Sequence, residues 1–218
     1  MAEKVTKQKA KRGRPAQLSR TLILQCALKL LEEGPAKVSI SSVARALNSA
    51  PMSLYTHVKN RDDLLLGVAD LVLGQLDISI DPRQPWQRQA CDWIDQIHAH
   101  LVRYPQVVRL IGESDALPPQ WLRVHAVLLR CLQRAGLGGE TLVHTARWLA
   151  QIVISDVLLN SPASQRQSVL TAMEQLTEEQ RAGCELLLPY LSDNRQSLFD
   201  FVVKQAIARV EYLKLQGE

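Results

Sequence analysis

Residues 39–64, SISSVARALNSAPMSLYTHVKNRDDL, read as two short helices joined by a tight turn and closed by a basic clamp. Ile40, Val43, Ala44 and Leu47 recur at helical spacing and give one apolar face. Asn48-Ser49-Ala50 interrupts it. Asn tolerates the left-handed backbone that helix C-termini favour, and Ser49 is a natural cap for the second helix. Pro51 suits a first helical position, where its missing N–H costs nothing. Leu54 and Val58 point inward one turn apart, which leaves Met52, Ser53, Tyr55 and Thr56 outward and His57 at the flank. A helix-turn-helix with short polar groups on its second helix makes DNA the first partner to consider.

The charge distribution points the same way. Residues 1–61 balance to +9 and residues 62–218 to −5, so a net charge of +4 hides a basic head on an acidic body. Residues 1–17 form a basic arm with little apolar content, expected to be disordered. Arg12 and Arg14 at its end are placed to reach a groove or phosphate, although a solubilising tail would look similar.

At 218 residues and 46% hydrophobic, the chain can bury a sizeable core. No apolar run approaches the roughly 20 residues of a membrane span, and the basic N-terminus lacks a signal peptide's apolar stretch. Cys26, Cys91, Cys131 and Cys184 show no paired spacing, so reduced core cysteines and a cytoplasmic location are expected.

The remainder reads as helices punctuated by Gly, Pro and Asn, with no strand-like alternation, and the fold class is all-α. Helices are expected from Ser19, as N-cap, to Glu33, and over residues 61–76, 82–104, 106–111, 118–135, 141–160, 177–191 and 196–216. Those over 141–160 and 196–216 are apolar nearly all round. Such helices must be covered on a second side, by a central core or by another subunit.

Beyond these patterns, residues 23–65 resemble the DNA-binding domain of TetR-family transcriptional regulators. LYTHVKNRDDLL, residues 54–65, is similar to the LYxHVxNKxxLL pattern of the family's TetR branch. Residues 81–111 resemble the start of its second domain more weakly. The resemblance implies a basic arm over 1–17, a three-helix DNA-binding domain over 18–63 and a helical ligand-binding and dimerisation domain over 64–218. It places DNA contacts on Pro51, Met52, Ser53, Thr56 and His57, with Tyr55, Lys59 and Arg61 on phosphates. Ser41 and Ser42 stand where the family more often carries Arg or Lys, and Asn48-Ser49 replaces its usual Gly followed by Val or Ile. Packing between helices remains open for Tyr55, capping for His57 and a solvated surface for the others.

For the second domain the resemblance implies a small-molecule pocket, with His100, Arg103, Trp121, His125, Arg147, Trp148 and Asp156 as its possible lining. Core packing is the competing reading for each. His98 and His100 lie too far apart around a helix to clasp one metal, and no cofactor or metal site is expected. No phosphate loop, nucleophile elbow or catalytic carboxylate pair appears, so the chain is not expected to be an enzyme. The expected function is a homodimeric repressor, released from a double-stranded DNA operator by a small-molecule effector, with no membrane partner. A DNA-binding adaptor or an activator without an effector is the alternative.

Overall fold

The computed structural model describes residues 18–113, 116–159, 165–186, 188 and 195–216. The arm with Arg12 and Arg14 lies outside these residues. Among the described residues the secondary structure is entirely helical: α1 (Arg20–Glu33), a 3-10 turn (Pro35–Lys37), α2 (Ile40–Ala46), α3 (Pro51–Leu54), α4 (Arg61–Gly74), α5 (Trp86–Leu101), α6 (Pro105–Glu113), α7 (Pro119–Arg134), α8 (Gly139–Leu159), α9 (Gln165–Met173), α10 (Glu178–Glu185) and α11 (Arg195–Gln216). The chain divides into two compact units, one ending at Leu64 and the other beginning at Leu65.

The first unit packs Ile23, Ala27 and Leu31 of α1 with Val38, Val43, Leu54, Val58 and Leu64, all nearly or fully buried. Burying each of the Ile, Leu and Val side chains contributes about 1.5–3 kcal/mol. Ser19 caps α1 by accepting from the Leu22 N–H. Ser39 and Ser42 form a reciprocal capping box at the start of α2. At its end the N–H groups of Asn48 and Ser49 bond the carbonyls of Arg45 and Ala44. Asn48 has φ 51°, the left-handed residue of a Schellman closure.

The second unit is built around α5, which packs against α6, α7, α8 and α11. Trp93, Ile94, Ile97 and Leu101 of α5 are fully buried, and the Trp93 Nε1–H donates to the Val124 carbonyl of α7 at 2.9 Å. Neighbouring helices satisfy the exposed ends of α4 and α7. Asp70 of α4 accepts from the Gln120 N–H at 2.8 Å, placing a carboxylate at the positive end of α7. Arg123 of α7 donates to the Leu73 and Leu76 carbonyls, and His100 of α5 to the Val72 carbonyl. Three side chains therefore tie the C-terminal end of α4 to α5 and α7.

Several sequence expectations shift. The helix expected from residue 82 begins at Trp86, because Pro85 occupies the N-cap and a turn precedes it. Ser49 does not cap α3. Pro51 is the first helical residue, which makes Ala50 the N-cap, without a side-chain bond. The helix α9 was not expected, since Gln165–Met173 lacks a regular apolar stripe. The helix α8 is long and apolar enough to cross a membrane, despite Glu140, Arg147 and Asp156 breaking its apolar run. It packs against α5, α6, α7 and α11 and buries Leu149, Ala150 and Val153, which makes it a core helix.

Candidate nucleic-acid interface and effector site

The first unit presents the outer surface of α3 and the turn after it. Leu54 is fully buried, while its neighbours Met52, at 76% exposure, and Tyr55, at 50%, face solvent. Pro51, Ser53, Thr56 and Lys59 are exposed, and His57 is half-buried. A single inward residue thus anchors a helix of four residues whose other side chains are displayed. Thr56 Oγ1 donates to the Ser53 carbonyl at 2.8 Å, which fixes the hydroxyl and leaves its lone pairs outward.

The start of α4 holds the turn in place. Asn60 Oδ1 accepts from the Asp63 N–H, and Asp63 accepts from the Lys59 N–H, both at 2.8 Å. Arg20 of α1 grips the Asp63 carboxylate at 2.8 Å and donates to the His57 carbonyl. The Arg20 guanidinium and the Lys59 N–H hold the Asp63 carboxyl below the usual carboxylate range. The Arg61 Nε–H donates to the Val38 carbonyl at 3.0 Å, so this side chain fastens α4 to the entry of α2.

On α2, Ser41 is exposed, but Ser42 is engaged by the fold. Its Oγ accepts from the Ser39 N–H at 2.9 Å and lies 2.6 Å from the Lys37 carbonyl, to which it donates. Ser39 and Ser42 stand at the spacing of a capping box, a signal already present in the sequence. Arg45 was missed there. It is exposed and lies one turn after Ser41, on the same face of α2.

In the second unit, the seven residues suggested for a ligand pocket do not form one cluster. His100 and Arg103 pair, with Arg103 Nη2 2.9 Å from His100 Nδ1. The Val72 carbonyl can only accept, so the His100 Nε2 carries the proton and Nδ1 accepts from Arg103. Burial and the Arg103 charge push the His100 pKa down. Trp121 and His125 form a second pair, edge to face at 4.5 Å, and Trp93 lies 5.8 Å from His125. The His125 Nδ1–H donates to the Trp121 carbonyl, and burial lowers its pKa. The imidazole therefore meets two indoles edge-on, with Nδ1 donating and Nε2 left as an acceptor. Arg147 is exposed and Trp148 half-buried. Asp156 is held at 2.7 Å by His98, which the sequence did not place in the pocket, and His98 stacks on Phe199 at 3.9 Å. Among the described residues no group of His, Cys, Asp or Glu could hold a metal ion.

Comparison with known proteins agrees with this architecture. An HTH-type transcriptional regulator from Saccharopolyspora erythraea is 24% identical over 155 residues, 71% of this chain; the chain spans 65% of that relative's length. Among solved structures, apo ActR from Streptomyces coelicolor superposes with TM-score 0.79 at 22% identity, over 93% of this chain and 99% of that one. ActR in complex with actinorhodin gives 0.77 at 23% identity, over 89% and 96%. The family model for the tetracyclin repressor-like C-terminal domain matches residues 81–207, more than half of the sequence. The chain belongs to the TetR family of transcriptional regulators, a family without enzymatic activity.

Proposed function

We propose that this protein is a homodimeric, cytoplasmic repressor that leaves its DNA operator when a small molecule enters the second unit. The exposed surface of α3 is the observation that carries the DNA reading. Ser53, Thr56 and Met52 suit base edges in the major groove, and Tyr55 and Lys59 suit phosphates. Pro51 and Ser41 border that surface, and Arg45 adds a phosphate-binding cation on α2. His57 contributes from the flank. Arg12 and Arg14 would add groove or phosphate contacts from the arm. Ser42 and Arg61 act through positioning, since each bonds a backbone carbonyl of the segment before α2. Two such heads reading half-sites about one helical turn apart require a dimer. The apolar residues Leu198 and Phe201 of α11, each more than half exposed, suit its interface.

The effector reading rests on the Trp93–Trp121–His125 cluster, an apolar aromatic group that carries one acceptor nitrogen. The structurally similar ActR has been solved with actinorhodin. An effector weakens operator binding only by the difference in its affinity for the two conformations, typically about 1–3 kcal/mol. The helix α4 carries residues of both units, and its C-terminal end is held by His100 and Arg123. A molecule that displaces either side chain would change the setting of α4. Gel shift with the gene's own upstream region tests the DNA reading, and absence of binding at low salt refutes it.

A further inference from the structure

The second unit contains a cleft apart from the tryptophan cluster. It is open, has a volume of about 530 Å³, and is lined by apolar Ile78, Ile80 and Val127 together with Gln89, Arg130 and Arg134. A volume of this size accommodates one medium-sized organic molecule. Arg130 and Arg134 lie one turn apart on the same face of α7. Among the described residues neither guanidinium meets a carboxylate, so two like charges stand side by side without compensation.

Gln89 organises the polar end. Its side chain is buried, and its Nε2–H₂ donates to the carbonyls of Gln84 at 2.6 Å and Pro82 at 3.3 Å. That fixes the amide with Oε1 toward Arg134, whose Nη2 donates to it at 2.9 Å. The guanidinium is thereby oriented before any ligand arrives, which lowers the ordering cost of binding. Cys131 also lines the cleft, but burial raises its thiol pKa to about 11, so at neutral pH it stays a protonated thiol.

We propose that this cleft binds an amphipathic carboxylate, with the headgroup between Arg130 and Arg134 and the aliphatic body along Ile78, Ile80 and Val127. Planar guanidinium groups match carboxylate geometry, and the isoleucines and valine supply an apolar surface that an inorganic anion would not use.

Calorimetric titration of the full chain with decanoate below its micellar concentration tests this. Saturable binding is expected, with decanol failing to compete. Arg134→Gln should weaken binding about tenfold through loss of a charge-assisted bond. Arg130→Gln, at an exposed position with no side-chain bond to the described residues, should weaken it to a similar extent while leaving the melting temperature of the unliganded protein unchanged. His125→Ala, in the tryptophan cluster, should leave decanoate affinity as it was. No binding, equal competition by decanol, or undiminished affinity in the Arg130→Gln variant would overturn the proposal. Loss of decanoate binding in His125→Ala alone would assign the molecule to the other site and refute this one.

Discussion

The His100 Nε2–H of α5 donates to the Val72 carbonyl at 2.8 Å, in the last turn of α4. This bond exists together with the Arg103 contact only while the ring is neutral, because protonation would turn Nδ1 from acceptor into donor against a guanidinium. The His100 pKa is depressed, chiefly by burial and further by Arg103, and burial depresses His125 as well. The unfolded chain therefore takes up protons first as pH falls. The stabilisation is complete above the ordinary histidine pKa of about 6.5 and is lost as pH falls from there toward the folded values. Thermal melts should show a lower midpoint at pH 5.5 than at pH 7.5. His100→Gln should melt lower at pH 7.5 and show a smaller drop between the two. An unchanged drop would show that His100 is not its source.

Asp63 is the corresponding point in the first unit, where its carboxylate accepts from the Lys59 N–H just ahead of α4 and receives Arg20. Asp63→Asn keeps the shape but removes the charge facing Arg20, and should destabilise the protein by up to about 1 kcal/mol, the scale of a partly exposed ion pair. Because the carboxyl pKa is lowered, its contribution is present above the unfolded value near 3.9 and disappears as pH falls through the folded value. Urea unfolding followed by circular dichroism at pH 7 and pH 3 should show the variant weaker at pH 7 and the gap to the wild type narrower at pH 3.

The local signals that were legible in the sequence were those with a single physical cause. Ser19 as a cap, Asn48 in the left-handed region and the inward Leu54 each follow from one residue and its immediate neighbours. Ser49 misled because it is a good cap in general, whereas Pro51 sets the register and moves the cap position to Ala50. The helix α9 escaped because its described side chains before Met173 are not buried, so no apolar stripe marks it. The second unit was less legible for a different reason. The bonds of His100, Arg123 and Asp70 join helices 28 to 50 residues apart, and no local pattern encodes such pairings.

Contact residues and core residues of α3 and the turn after it should separate cleanly. Tyr55→Phe and Thr56→Ala alter exposed groups, and each should weaken operator binding by about 1 kcal/mol, or roughly fivefold, without changing helicity. Leu54→Ala removes a fully buried side chain and should cost about 2–5 kcal/mol of stability. Fluorescence anisotropy with an operator duplex, alongside thermal melts, distinguishes the two outcomes. Unfolding in Tyr55→Phe would place that ring in the core.

Lys59 offers a test of phosphate contact that does not depend on the operator sequence. Its side chain is exposed, and only its backbone N–H is committed to Asp63. Lys59→Gln should weaken specific and random duplexes alike and reduce the slope of log affinity against log salt by about one. A variant that lost affinity for the operator alone, with an unchanged slope, would make Lys59 a base-reading residue instead.

The exposed apolar groups of α11 should reveal the dimer. Leu198 and Phe201 are 57% and 59% exposed, whereas Phe199, Val203, Ala206 and Val210 of the same helix are buried. One face of α11 is thus already packed within the chain, and a charge placed on its outer face need not disturb that packing. Phe201→Glu should leave the melting transition cooperative and shift the molar mass measured by light scattering from dimer to monomer. Operator affinity should then fall steeply, because a single head reads only one half-site. A Phe201→Glu protein that remained dimeric and bound its operator normally would exclude this face of α11 as the interface.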